Sequence, residues 1–254
     1  KLLLLPFMTH TKQLVIDVGN TQTKYGYFDN NTLISTGVCT DWGASAWTTF
    51  HQGNPFSVVM ISSVGASAKR IQKLLPTSCE VHLLDENTRY PFTSAYKDIN
   101  TLGADRRAAM AGAMLCYPKT PVLVIDAGSC ITFDFIDAEA QHLGGIIAPG
   151  RKMRYHAMHL FTEKLPLLDP STTIPTIGTN TTDSILLGVE GGVLAEINTH
   201  IKAFTQAYGN FTIILTGGDA DSLNKKIKNT IFADTHLILR GLQHLLMFNI
   251  FYEE

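Results

Sequence analysis

The sequence predicts an α/β protein of two similar lobes, each a mixed β-sheet flanked by helices. Three observations predict it. A strand–turn–strand pattern near the start of the chain returns near its middle. Strands and helical stretches alternate through the second half, and prolines interrupt the chain between the two copies of the pattern. With 254 residues, 45% of them hydrophobic, the chain can bury one large core or two modest ones.

The elements follow in order. Gln13 to Val18 is a short apolar run that ends in Asp17-Val18-Gly19-Asn20-Thr21. Gln22 to Phe28 continues with β-prone aromatics, and Asp29-Asn30-Asn31 supplies turn chemistry before Leu33 to Val38. Ser57 to Ser62 reads as a buried strand, residues 66–75 as a helical stretch, and Glu80 to Leu84 as another strand. Leu102 to Cys116 carries apolar residues at helical spacing until Pro118 and Pro121 stop it. The expected lobes are therefore 8–117 and 118–254.

Past the prolines the pattern restarts. Val122 to Ile125 reads as a strand, Asp126-Ala127-Gly128-Ser129 as a turn and Ile131 to Ile136 as a second strand. Val15 to Thr23 aligns with Val124 to Thr132 without a gap, sharing an apolar strand, Asp-x-Gly-polar, and a β-prone continuation containing Thr. Helices are expected over Gly150 to Lys164 and Thr182 to Tyr208, around a connection carrying Pro166, Pro170 and Pro175. Phe211 to Leu215 reads as a strand running into Thr216-Gly217-Gly218-Asp219, and Leu237 to Phe248 as a closing amphipathic helix.

Composition narrows the function. The net charge of −2 and the absence of a basic run leave no footprint for nucleic acid. Cys39, Cys79, Cys116 and Cys130 are scattered, without metal-site spacing, as in a reducing compartment. No stretch reaches the roughly 18–20 apolar residues of a membrane helix. These features predict a cytoplasmic protein with small-molecule partners, no nucleic acid and no membrane. Residues 1–7 read as a non-native or upstream leader ahead of a natural start at Met8.

The Asp-x-Gly hairpins carry the chemistry. Glycine lets backbone N–H groups approach an anion closely, and Asn20, Thr21 and Ser129 add amide and hydroxyl donors. A carboxylate such as Asp17 repels phosphate unless Mg²⁺ lies between them. One such motif is equally an ordinary glycine turn with a locally satisfied aspartate. Two in phase, with a third glycine-rich turn at Gly217-Gly218, point to a bound nucleotide.

With these residues in view, the chain resembles the acetate kinase, sugar kinase, Hsp70 and actin superfamily, which implies ribonuclease H-like (actin-like ATPase) lobes. Within it, the chain resembles the type III pantothenate kinases. The resemblance rests on Asp17-Val-Gly-Asn-Thr21, on Gly103-Ala-Asp-Arg106 seven residues after Tyr96, on Asp126-Ala-Gly-Ser129, and on Gly144-Gly-Ile-Ile-Ala-Pro-Gly150. Gly178-Thr-Asn-Thr181 and Thr216-Gly-Gly-Asp219 complete it, in the family's order from about residue 14 to 245. Ser129 stands where the family commonly has Thr, and Ile99 where it often has Pro.

The resemblance implies transfer of the γ-phosphoryl of ATP to the hydroxyl of pantothenate, giving 4′-phosphopantothenate at the start of coenzyme A biosynthesis. It implies Asp105 as general base and Tyr96, Gly103, Ala104, Asp105, Arg106 and Thr181 as the pantothenate pocket. Asp17, Val18, Gly19, Asn20, Thr21, Gln22, Thr23, Lys24 and Ser129 would bind ATP. Asp17 would sit near Mg²⁺, directly or through water, and Asp126 would hold a monovalent cation, K⁺ or NH₄⁺. The family also implies a homodimer.

Other features are read as structural. His156 and His159, at i and i+3, lack a third ligand at suitable spacing. Arg151, Lys152 and Arg154 read as a solvated basic turn, and Trp42 and Trp47 as core or interface residues. Two rival functions stand beside the first: another small-molecule kinase of the superfamily, or a non-enzymatic nucleotide-binding regulator of transcription.

Overall fold

A computed structural model describes residues 12–19, 21–39, 43–63, 67–227 and 232–252. The leader, Met8, Asn20 and Trp42 lie outside them. The chain forms two units, one of residues 117–235 and the other of the residues before 117 and after 235.

The first unit opens with β1 (Lys12–Val18), β2 (Thr23–Asp29) and β3 (Thr32–Cys39), an antiparallel meander. Helix α1 (Ala44–Gly53), absent from the sequence reading, leads to β4 (Val58–Ser63), which pairs parallel to β1. Helix α2 (Ser67–Gln72) then leads to β5 (Glu80–Leu83), and the sheet order is β3-β2-β1-β4-β5. Leu14, Val15 and Ile16 on the central strand are fully buried because the sheet is covered on both faces. Leu14 and Ile16 pack with Trp47 of α1 and Ile71 of α2. Alternation then turns Gln13, Val15 and Asp17 toward the opposite face, which α3 (Ala104–Cys116) helps to cover.

The second unit repeats the plan. β6 (Val122–Ala127), β7 (Cys130–Ile136) and β8 (Gln141–Pro149) form an antiparallel meander. Helices α4 (Arg151–Leu160), α5 (Thr181–Leu186) and α6 (Gly192–Tyr208) follow, with a π-helical turn over Leu187–Gly191 between the last two. Strand β9 (Thr212–Thr216) pairs parallel to β6; after α7 (Ala220–Asn224), β10 (Phe232–Ala233) pairs parallel to β9. The order of these strands, β8-β7-β6-β9-β10, matches that of the first sheet strand for strand. This is the pair of similar lobes that the internal repeat predicts, in the ribonuclease H-like form that the resemblance implies. Leu123, Ile125, Phe133 and Phe135 pack under Val193, Ile197 and Ile201 of α6.

One helix departs from the expected division. α8 (Leu237–Tyr252), expected to close the second lobe, packs in the first unit. The reason is a glycine crossing with α3: a Cβ on Gly241 would lie 1.8 Å from the Ala108 carbonyl oxygen, and one on Gly112 2.5 Å from that of Leu237. Gln243 of α8 also donates to Gln13 Oε1 at 3.1 Å, which ties the helix to β1. Among the described residues no helix is long and apolar enough to cross a membrane.

Because the Gly241 approach is to backbone, relief requires the helices to part. Gly241→Ala is expected to lower unfolding free energy by about 3 kcal/mol, the upper end of ordinary overpacking costs. Gly192→Ala, in a helical position with nothing within 4 Å of its Cβ, is expected to raise it by about 0.5–1 kcal/mol. Urea melts of both variants check the contrast.

Candidate active site

The site in the first unit starts from strand register. Asp17 stands at the end of β1, opposite Lys24 on β2 and Ser62 on β4. All three side chains therefore belong to one rung on one face of the sheet. That face meets the N-terminus of α3, whose first turn carries Asp105. Burial pushes the Asp17 carboxyl up to about 6, the Asp105 charge adds to the rise, and Lys24 and a Ser62 hydrogen bond oppose it. Two carboxylates thus share one neighbourhood. Sequence reasoning had not found Ser62, whose only signal was its position at the end of an apolar run.

Asp105 is exposed and bends back over its own helix start. Its Oδ1 accepts from the Arg106 N–H at 2.8 Å, and a Cβ on Gly103 would lie 2.5 Å from the same oxygen. Ala104 is buried. Arg106 is buried; its Nη1 donates to the Tyr96 hydroxyl at 3.4 Å and its guanidinium lies 5.9 Å from that ring's centre. Tyr96 and the Gly-Ala-Asp-Arg turn are therefore one assembly. Next to it, Arg107 donates to the Tyr90 hydroxyl, so two successive arginines fix the 90–100 segment on α3.

The remaining phosphate-loop candidates divide. The Gly19 N–H donates to the Gln22 carbonyl at 3.1 Å and closes the hairpin. Thr21 and Gln22 are exposed, whereas Val18 packs into the core and Thr23 pairs in the ladder. Asn20 lies outside the described residues.

The second unit builds the corresponding rung differently. Asp126 stands opposite Thr132 on β7 and Thr216 on β9. The gapless sequence repeat pairs Thr132 with Thr23, but the observed register pairs it with Lys24. Val18 faces Thr23 across the first turn and Ala127 faces Ile131 across the second, which is one residue shorter. Three glycine turns then close on the end of β6. A Cβ on Gly217, at φ +93°, would lie 2.3 Å from both Asp126 Oδ1 and the Ala127 carbonyl oxygen. One on Gly150 would lie 2.2 Å from the Gly128 carbonyl oxygen, and the Gly150 N–H donates to the Ser129 carbonyl at 3.1 Å. Ser129 is exposed beside these contacts. Thr181 is exposed at the start of α5, behind the Asn180 cap that accepts from the Asp183 N–H at 2.9 Å.

The basic turn is corrected. Arg151 is 3% exposed, not solvated: its guanidinium is bound by the buried Glu190 and by Asp219. Arg154 reaches Glu196, and Lys152 is exposed. No sequence signal marked Glu190, because a π-helical turn, not an α-helical face, carries it.

Chemically, Asp17 offers hard oxygen next to a second carboxylate, which suits Mg²⁺. Among the described residues no three His, Cys, Asp or Glu side chains converge on a metal. A cation here would complete its shell with phosphate oxygens and water, as Mg²⁺ commonly does.

A family model described as type III pantothenate kinase matches residues 13–203. The type III pantothenate kinase of Flavobacterium psychrophilum is 39% identical over 91% of this chain and 97% of its own length. That of Flavobacterium johnsoniae is 37% identical over 93% and 98%. Among solved structures, a Campylobacter jejuni protein named for the Baf family of transcriptional activators is 24% identical, with a TM-score of 0.56 over 93% of this chain and 98% of its own. The ethanolamine utilization protein EutJ of Carboxydothermus hydrogenoformans is 10% identical, with a TM-score of 0.53 over 95% and 91%. Both share the fold.

The raised carboxyl of Asp17 has a stability consequence. Its folded value of about 6 exceeds the ordinary 3.8, so the folded state binds the proton more tightly than the unfolded chain. Stability of the ligand-free protein therefore falls as pH rises from about 4 through about 6 and stays reduced above it. Asp17→Asn is expected to raise unfolding free energy at pH 7.5 by on the order of 2 kcal/mol, with no gain at pH 4. Urea melts at the two pH values check it; an equal gain at both would remove the charge explanation.

Proposed function

The chain belongs to the type III pantothenate kinase family and phosphorylates pantothenate with ATP, and we propose that Asp105 is its general base and Asp17 its magnesium anchor. The observation that carries this reading is the meeting of Asp17 and Asp105 at the start of α3. The product is 4′-phosphopantothenate, the first intermediate toward coenzyme A in this family.

Phosphoryl transfer asks the protein for positioning and charge neutralisation. Asp105 accepts the proton of the pantothenate hydroxyl as its oxygen attacks the γ-phosphorus and the bond to ADP breaks. The late loss of that proton in a loose transition state lets an ordinary carboxylate serve. Mg²⁺, when bound, would supply the charge that neutralises the triphosphate, with Asp17 holding it directly or through water. Lys24 and the Gly19 to Thr23 turn line the phosphates with Asn20. Arg106, braced on Tyr96, offers its planar fork to pantothenate beside Gly103 and Ala104.

In the second unit Ser129 contacts ATP, and Asp126 holds K⁺ or NH₄⁺. What supports the cation reading is the rung itself, with one carboxylate between two threonine hydroxyls and no lysine opposite. One carboxylate among neutral oxygens suits a single positive charge. Of the rivals, a different small-molecule acceptor is disfavoured by the family match, and a non-enzymatic regulator has no use for the Asp17–Asp105 pair. A cytoplasmic location fits four cysteines scattered along the chain without metal-site spacing.

We assign the homodimer to the apolar surface of α4 and its surroundings. Leu160, Phe161 and Ile177 are 75%, 82% and 72% exposed in the single chain, with Met153 and Ile147 also open. Large apolar side chains this exposed are candidates for an interface.

Two experiments test these assignments. Coupled ADP-release kinetics with pantothenate should show Asp105→Asn losing about 100-fold or more in kcat while its ATP binding persists. The same assay in K⁺ against Na⁺ should show wild type stimulated and Asp126→Asn indifferent. Near-normal kcat for Asp105→Asn removes it from the mechanism. Light scattering should give a dimer for the wild type and a monomer for Phe161→Glu; a dimeric variant moves the interface elsewhere.

A further inference from the structure

A buried guanidinium in the second unit is saturated by four residues from three segments. Arg151 follows the Gly150 turn and is 3% exposed. Its Nε donates to Glu190 Oε2 at 2.9 Å, and Nη2 reaches the same oxygen at 2.8 Å and the Ser171 carbonyl at 3.1 Å. Nη1 donates to Asp219 Oδ1 at 3.1 Å and to Ser222 Oγ at 3.0 Å. Those contacts engage the whole planar fork. Glu190 is saturated in turn, because its Oε1 accepts from the Tyr155 hydroxyl at 2.9 Å and from the Ser171 N–H at 3.0 Å.

The arrangement reaches the glycine turns directly. Asp219, held by Arg151, donates its N–H to the Ala127 carbonyl at 2.9 Å, next to Asp126. Ser222, also held, donates to the Asp219 carbonyl at 2.9 Å. Gly217, two residues before Asp219, rests on Asp126 and Ala127. Arg151 itself is one residue from Gly150, which rests on Gly128 and Ser129. The π-helical turn at Leu187–Gly191 carries Glu190 into this position. A buried ion pair is a poor device for stability alone, since apolar side chains of equal volume often do as well. A fork that fixes several loops at once is a good device for geometry.

We propose that Arg151, aligned by Glu190, is a positioning residue for ATP: it fixes the Gly217-to-Asp219 turn against the Asp126-to-Ser129 turn in the spacing that nucleotide binding needs. The inference rests on the reading of these turns as part of the ATP site. Arg151 and Glu190 touch no reacting atom. They act through Asp219 and the backbone of the two turns.

Steady-state kinetics of Arg151→Lys and Glu190→Gln test it, with melting temperatures measured on the same preparations. Lysine keeps the charge but cannot span Glu190, Asp219, Ser222 and Ser171 together. Both variants are expected to raise the KM for ATP about tenfold, as a displaced positioning group does, while the KM for pantothenate stays within about twofold. An unchanged ATP KM with a lowered melting temperature would show a merely structural pair and overturn the proposal. Equal rises in both KM values would overturn it too. Should these variants fail to fold, Asp219→Asn and Ser222→Ala, which keep the buried pair, decide by the same criterion. Ser129→Ala separates the two layers. If it leaves the ATP KM unchanged, the ATP reading of these turns fails; if it raises that KM while the Arg151-network variants do not, only the positioning role fails.

Discussion

Burial of a carboxylate at the end of a covered strand, with a second carboxylate near it, is the constraint around which the first unit is organised. Strand β1 is covered on both faces, so its residues cannot slip register without exposing Leu14 and Ile16. That fixed register delivers Asp17 to the same face as Gln13 and Val15, where α3 begins. The helix is held there by the close crossing of Gly112 and Gly241 with α8. Asp17 and Asp105 are thus forced together, and Lys24 only partly offsets the conflict. The charged form of Asp17 therefore costs the folded state stability above the carboxyl's raised value.

The duplicated sheet shows how one geometry carries two different sets of side chains. Each central strand ends in an aspartate flanked by one antiparallel and one parallel neighbour. In the first unit those neighbours are Lys24 and Ser62; in the second they are Thr132 and Thr216. The lysine is replaced by a hydroxyl. Shortening the second turn by one residue is what moves Thr132 into the lysine's place. A one-residue change in loop length therefore changes the charge of the rung, because side chains alternate faces along a strand.

Much of this was legible in the sequence. The paired Asp-x-Gly turns, the continuous apolar runs of the central strands and the helix beginning at the Gly-Ala-Asp-Arg motif all follow from local chemistry. Helix α1 was not, because Ala44 to Gly53 mixes polar residues with Trp47 and Phe50, whose role is set only by packing with Tyr25, Tyr27 and Phe56. Strand β8 was read only as a motif, since its glycines weaken the strand pattern and Gly144, at φ +130°, accompanies a register shift opposite Phe135 and Ile136. The return of α8 to the first unit depends on glycines whose meaning appears only when two helices touch. Arg151 misled for a related reason: a cation after a glycine at a helix start is usually solvated. Its partners lie 20, 39, 68 and 71 residues away.

The motif glycines deserve a different physical reading from the one their reputation suggests. In a phosphate loop glycine is commonly credited with letting an anion approach the backbone. Here Gly150 and Gly217 are obliged to lack a side chain because other backbone already occupies the space, at 2.2 Å and 2.3 Å from where a Cβ would stand. These glycines pack turn against turn, and the open backbone they leave to a ligand follows from that packing. Such turns cannot be tuned one at a time. A side chain added to either would move a neighbouring turn as well, which is why a polar fork reaching several turns together is a fitting way to hold them.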